Sequence, residues 1–298
     1  MVSRRYLMAA GLATGAFVLS GCARKVDPDA HFTEQMSELQ KRHGGRLGVA
    51  AMRLTAGPDI KTLTFQADQR FAMCSTFKWV LAAAVLQQAD QGRLSLGDRV
   101  PYGQKDLLSY APVTKMHAAE GGMSLEALCL AAVSLSDNTA ANLLLSRISG
   151  PQGLTAFVRG LGDKITRFDR NEPALNSNVA GDVRDTTTPD AMTGLLQTLF
   201  TTNVLKPDSL QYLKNWMVAT RTGQARIPAG VPQGAVTGHK TGSGAGGAMN
   251  DVGVIWPAGN KPPVFLSVFT TGGTLDDDGR EAIIADITRL VFTTGWLS

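Results

Sequence analysis

Ser75 and Lys78 stand three residues apart in Ser75-Thr76-Phe77-Lys78, a spacing that sets a hydroxyl and an amine on one face of a helix. A serine hydroxyl is a weak nucleophile until a neighbour takes its proton, so the pair is a candidate activated nucleophile for acyl transfer. With Ser75 opening the helix, its own backbone N–H can point at a developing oxyanion. Phe71, Met73, Cys74, Phe77 and Trp79 surround the motif with apolar residues, which predicts a buried helix start and gives the lysine a task. Three further elements follow in order: Ser136-Asp137-Asn138, Glu172-Pro173-Ala174-Leu175-Asn176 and Lys240-Thr241-Gly242. At average residue frequencies a Ser-x-x-Lys occurs about once in a chain this long, whereas each tripeptide is expected well under roughly 0.1 times. Their ordered co-occurrence is not an accident of composition.

Each later element adds a part that acyl transfer needs. Ser136-Asp137-Asn138 sits between two helical stretches, where it serves as a helix N-cap. From that loop Ser136 can relay a proton to a leaving nitrogen, and Asn138 can offer its amide to an acyl side chain. Lys240-Thr241-Gly242-Ser243 ends a strand; Lys240 brings positive charge, while Thr241 and Ser243 bring hydroxyls suited to a carboxylate. Gly242 lets another backbone approach closely. The N–H of Ser243 can complete an oxyanion hole with that of Ser75, a contribution typically worth a few kcal/mol. Glu172, with Asn176 four residues on, can hold one water between carboxylate and amide, aimed at an acyl-ester carbon.

These motifs resemble the set that marks class A β-lactamases and penicillin-binding proteins, and the chain is similar to a class A β-lactamase from about residue 31 to residue 298. The resemblance implies a catalytic group of Ser75, Lys78, Ser136, Glu172 and Lys240, with Asn138, Asn176, Thr241, Gly242 and Ser243 binding substrate or water. It also implies that Tyr110 lines the cleft mouth, that the Glu172–Pro173 bond is cis, and that Arg170 pairs with Asp185. Penicillin-binding proteins characteristically lack the Glu172 element, so its presence favours hydrolysis over a D-alanyl-D-alanine peptidase or a non-turnover β-lactam sensor. Whether Lys78 or Glu172 accepts the Ser75 proton in acylation stays open at this level. The family usually adds an arginine for the substrate carboxylate. Ala248-Met249-Asn250 occupies one common source, which points to Arg226 in the segment before the strand, with Arg280 as the substitute. Some carbapenem-hydrolysing relatives bridge the cysteine equivalent to Cys74 to one just after Lys-Thr-Gly; here that place is Gly244.

The elements that must hold these groups can be read from periodicity. His31 to His43 carries Phe32, Met36 and Leu39 at helical spacing. Leu47–Leu54 and Ile60–Phe65 read as a hairpin about the turn at Ala56-Gly57-Pro58-Asp59. From Met73 to Ala219 the texture is helical, as in Trp79–Gln88, Leu125–Ala132, Thr139–Ile148, Pro151–Leu161 and Pro189–Phe200. Strand texture resumes at Val236–Thr241, Val252–Trp256 and Val264–Thr271, and Arg280–Phe292 closes as a helix. The short connections demand antiparallel pairing. The expected fold is α+β: an antiparallel sheet flanked by the terminal helices, plus an inserted all-helical lobe. The α/β lobe is assigned to residues 31–72 and 220–298, and the helical lobe to 73–219.

Bulk properties agree with a globular enzyme. The 298 residues are 44% apolar and 18% charged, with 32 glycines. The formal charge of +4 falls to +2 without Arg4 and Arg5, and no basic run suggests nucleic acid. His31, His43, His117 and His239 lack metal-ligand spacing, so no metal and no cofactor is expected. Residues 1–22 read as an export signal: paired arginines resembling a twin-arginine signal, an apolar stretch from Leu7 to Leu19, and Leu19-Ser20-Gly21-Cys22 resembling a lipobox. Cys22 is then acylated, residues 23–30 form a tether, and the protein is a periplasm-facing or surface lipoprotein. Cys74 and Cys129 are expected to be free, buried thiols. The expected partner is a small β-lactam substrate, and the expected state is a monomer touching the membrane only through its anchor.

Overall fold

The computed structural model describes residues 28–55, 59–259 and 261–296; Cys22 and the export signal lie outside them. Five strands form one antiparallel sheet: β1 (Gly45–Leu54), β2 (Ile60–Phe65), β3 (Val236–Ser243), β4 (Met249–Trp256) and β5 (Val264–Gly272), in the order β2-β1-β5-β4-β3. Helix α1 (Pro28–His43) precedes the sheet and α8 (Asp277–Thr293) follows it. Between β2 and β3 lie the longer helices α2 (Phe77–Asp90), α3 (Leu125–Ser134), α4 (Asn138–Arg147), α5 (Gly150–Gly160), α6 (Pro189–Thr201) and α7 (Pro207–Val218). This is the α+β arrangement expected, with an antiparallel sheet and a run of helices inserted between its second and third strands.

Strand β5 shows why the sheet needs cover on both sides. Its alternate residues Leu266 and Val268 join Phe32, Met36, Ile283 and Ile287 of the terminal helices in one core. Phe265 and Phe269 face the other way, into a second core with Trp79, Leu128 and Leu144 of the inserted helices. A strand buried on both faces reads as a continuous apolar run rather than an alternating one. Each such buried side chain contributes about 1.5–3 kcal/mol of transfer free energy.

Local sequence sets the helix starts. Ser124, Asp137, Thr188 and Asp276 accept hydrogen bonds from the backbone N–H three residues on, capping α3, α4, α6 and α8. Helix α1 begins at Pro28, so residues 28–30 are helical and not part of a tether. Proline at a first helical position and Asp29 behind it are both start signals. Strand β4 begins at Met249, three residues before its expected start, because residues 244–248 suffice for the turn from Ser243. No helix among the described residues is long and apolar enough to cross a membrane.

Candidate active site

Ser75 lies in a single 3₁₀ turn, Cys74–Thr76, that leads into α2. The turn starts from Cys74 at φ +49°, a left-handed conformation unusual for a residue with a side chain. Asn250 of β4 pins the segment before it, its Nδ2 donating to the carbonyls of Ala72 (2.9 Å) and Met73 (3.2 Å). Strand β3 then passes so close that a Cβ on Gly242 would stand 2.5 Å from the Met73 oxygen and 3.1 Å from the Thr76 nitrogen. Only glycine lets the Lys-Thr-Gly strand lie beside the serine turn.

Glu172 is the hub. Ser75 Oγ donates to Glu172 Oε1 across 3.2 Å, and Lys78 Nζ meets the same oxygen at 2.9 Å. The other carboxylate oxygen accepts from Asn176 Nδ2 at 2.5 Å, while Asn176 Oδ1 is buried with no hydrogen-bond partner. The Glu172–Pro173 bond is cis, as the resemblance implied. Asn142 clamps the Glu172 backbone from α4, accepting from its N–H and donating to its carbonyl, both at 2.9 Å. The ion pair of Arg170 Nε with Asp185 Oδ2 (2.6 Å) forms as expected. Asp185 Oδ1 also accepts from the N–H groups of Asp169 and Arg170, and Arg170 reaches Ser177 Oγ at 3.0 Å.

Lys78 is fully buried and donates to Asn138 Oδ1 (2.6 Å) and to the Ser136 carbonyl (2.8 Å). Its ammonium thus ties the serine helix to the Ser136 loop. Ser136 itself adopts φ +60°, and its hydroxyl accepts from Lys240 Nζ at 3.1 Å. Asp137 makes that loop rigid, because its carboxylate accepts from the N–H groups of Val113, Thr114 and Ala140. Asn138 N donates to the Tyr110 carbonyl (3.0 Å), which fixes Tyr110 at the same loop with its side chain 49% exposed.

Two buried ammonium groups on one side of the site affect each other. Burial pulls Lys78 below the ordinary lysine range, and the Glu172 carboxylate opposes that shift. Burial and then the charge of Lys78 hold Lys240 well below it, with Asp251 opposing and Arg226 adding to the shift. Burial, helped by Glu172, pushes the Cys74 thiol up to about 12, so it is no competing nucleophile. Cys74 and Cys129 are both free and buried.

The arginine proposed from sequence is not an exposed loop residue. Arg226 is buried; its Nη2 donates to Ser243 Oγ (3.0 Å), its Nη1 to the Asn250 carbonyl (3.0 Å), and its Nε to Glu281 Oε1 (3.0 Å). Arg280 instead pairs with Asp277 on its own helix, at 3.1 Å. Thr241 Oγ1 bonds Thr222 Oγ1 at 2.6 Å. Ser75, Lys78, Ser136, Asn138, Glu172, Asn176 and Lys240 therefore form one connected hydrogen-bonded group, and Thr241, Gly242, Ser243 and Arg226 line the adjoining strand. Asn142 and Thr222 were not singled out in the sequence. Asn142 could have been found, since it lies one helical turn after Asn138.

A family model described as the beta-lactamase enzyme family matches residues 31–294. The chain is 39% identical to β-lactamase L2 of Stenotrophomonas maltophilia, an alignment covering 97% of this chain and 98% of that protein. It is 44% identical to β-lactamase Toho-1 of Escherichia coli, over 80% of each chain. The solved structure of an ancestral class A β-lactamase of Gram-negative bacteria superposes with a TM-score of 0.84 at 49% identity, covering 88% of this chain and 98% of that one.

Proposed function

We propose, from the premise that this chain belongs to the class A β-lactamase family and hydrolyses β-lactams, a two-stage mechanism centred on Ser75 and Glu172. Ser75 Oγ attacks the lactam carbonyl, and its proton passes to the Glu172–Lys78 pair, whose Glu172 Oε1 meets both the Ser75 hydroxyl and the Lys78 ammonium. The backbone N–H groups of Ser75 and Ser243 stabilise the oxyanion. Collapse breaks the C–N bond, and Ser136, bridged to both lysines, delivers the proton to the leaving nitrogen. In the second stage a water held between Glu172 and the unpartnered Oδ1 of Asn176 gives a proton to Glu172 and attacks the ester; the bond to Ser75 Oγ then breaks and Glu172 returns the proton to that oxygen, releasing the ring-opened acid and restoring Ser75.

The observation that carries this reading is the position of Glu172 Oε1, within 3.2 Å of the Ser75 hydroxyl and 2.9 Å of the Lys78 ammonium. Removing Glu172 takes away the base for the water but also removes the carboxylate that holds Lys78 charged. Burial then favours a neutral amine, a competent base for Ser75. Glu172→Ala should therefore acylate and stall, adding one intact substrate mass at Ser75; steady-state turnover by this variant would refute the assignment.

Lys240, Thr241 and Ser243 bind the substrate carboxylate, with Arg226 acting through the Ser243 hydroxyl and by its charge. Asn138 contacts the acyl side chain, and Tyr110 borders the cleft mouth. The protein is exported, acylated at Cys22 and active as a monomer on a membrane surface; the Leu19-Ser20-Gly21-Cys22 run and the paired Arg4-Arg5 support this part of the reading.

A further inference from the structure

The two ends of the sheet differ in chemistry. One register row, Lys61–Arg53–Val264–Ile255–Thr237, crosses all five strands. At the other end the row Leu47–Thr270–Met249–Ser243 ends in the substrate strand. Thr237 and Ser243 stand six positions apart on β3, about 20 Å at strand rise. Lys240 stands midway along β3, and Thr241, Gly242 and the serine turn beside them lie from there toward the Ser243 end.

Helix α1 connects these ends. Its last residue, His43, leads through Gly44 into β1 at the Ser243 end. Its 16 residues span about 24 Å, and Phe32 and Met36 share a core with Val291 and Trp296, which lie at and beyond the far end of α8. Pro28 therefore sits at the Arg53 end. If Cys22 carries the lipid, only residues 23–27 lie between the bilayer and α1, and they reach at most about 20 Å when fully extended.

The surface at that end suits a headgroup layer. Arg53 and Lys261 line a hollow of about 430 Å³ between Pro232, Pro257 and Pro262. Ile60 and Val236, at the two edges of the sheet, are 45% and 47% exposed. In sequence, the connecting segment adds Arg24 and Lys25 together with Asp27, while Asp29 lies in the first turn of α1 and Asp59 precedes Ile60. Basic residues and scattered apolar side chains next to a lipid anchor are what an anionic bilayer attracts, within a Debye length of about 8 Å.

We infer that the sheet end bearing Arg53, Lys61 and Lys261 is a membrane-docking face that lies on an anionic phospholipid surface, so that the catalytic residues are held about 10–20 Å further out along β3. The inference rests on acylation of Cys22. The test uses full-length acylated protein in phosphatidylethanolamine–phosphatidylglycerol vesicles containing a headgroup nitroxide lipid, with a fluorophore on Gln233→Cys at the docking face or on Val179→Cys beside the Ser243 end. The label at position 233 should be quenched several-fold more than that at 179, and Lys61→Glu with Lys261→Glu should reduce the difference in anionic but not in zwitterionic vesicles. Equal quenching, stronger quenching at 179, or indifference to the charge reversal overturns the docking face. Wild-type protein that stays in the aqueous phase, without a lipid mass on Cys22, overturns the anchor itself and the docking face with it.

Discussion

Replacing Arg226 by alanine separates two roles that its position combines. The guanidinium donates to Ser243 Oγ at 3.0 Å and to the Asn250 and Gly242 carbonyls at 3.0 and 3.4 Å. A charge-assisted hydrogen bond in a dry site is worth about 1.5–3 kcal/mol, so kcat/KM for a penicillin should fall by roughly 10- to 150-fold. Stability should fall too. The carbonyls lose a donor at about 1–3 kcal/mol each if they stay dry. Glu281, with a quarter of its side chain exposed, can turn to water and adds little. Water entering the vacated space keeps the total near about 2 kcal/mol, a fall of about 4–8 °C in Tm for a domain of this size. The decisive assay compares a penicillin with its methyl ester, at a temperature where both proteins are folded. The variant should lose rate on the free acid and little on the ester, which has no charge to bind. Because Arg226 acts in part through Ser243, the double variant with Ser243→Ala should lose less than the two single losses combined. Additive losses, or equal losses on acid and ester, would refute the role assigned to Arg226.

Lys240 is held well below ordinary lysine, so on raising the pH it loses its charge before a free lysine would. The pH profile of kcat/KM should therefore fall along an alkaline limb with its midpoint below 10.5, and Lys240→Arg should move that limb upward; a profile flat to that pH in the wild type would contradict the carboxylate-binding role. Gly242→Ala should cost about 100-fold in kcat, the scale of an ångström's misplacement of reacting groups, because its Cβ must push the Met73 carbonyl from 2.5 Å. Wild-type acylation kinetics in this variant, by stopped flow, would show that the strand and serine turn can separate without loss.

Much of the site was legible because its residues fall in short motifs whose local conformation their own sequence sets. Ser75 stands in the 3₁₀ turn that leads directly into the helix of Lys78, and Asp137 both caps α4 and braces the loop of Ser136. The burial of Arg226 was not legible. Arginine is mostly a surface residue, and only the antiparallel return of β4 brings the Asn250 carbonyl to it. The position of Asn142 one turn after Asn138 was visible in the sequence, but its clamp on Glu172 depends on how the segment from 166 to 188 folds back. Helix α7 was not named individually, although Trp216 and Met217 supply its buried face. The buried bond between His239 Nδ1 and Asp251 Oδ1 (2.9 Å) is equally a product of strand register.

The pairing of β1 with β5 joins Gly45 to Gly272 and Arg53 to Val264, strands from opposite ends of the chain. A ribosome needs about 10–40 s to make the intervening segment, and until then β1 has a partner on one side only. Asn250, which holds the Ala72 and Met73 carbonyls ahead of the serine turn, is also synthesised late. Ser75 is thus made within the first third of translation but armed only near its end. Hydrolytic competence therefore waits for strands made late in synthesis, so a carrier of folded cargo must wait for the whole chain, whereas a carrier of threaded polypeptide can begin before any active enzyme exists inside the cell.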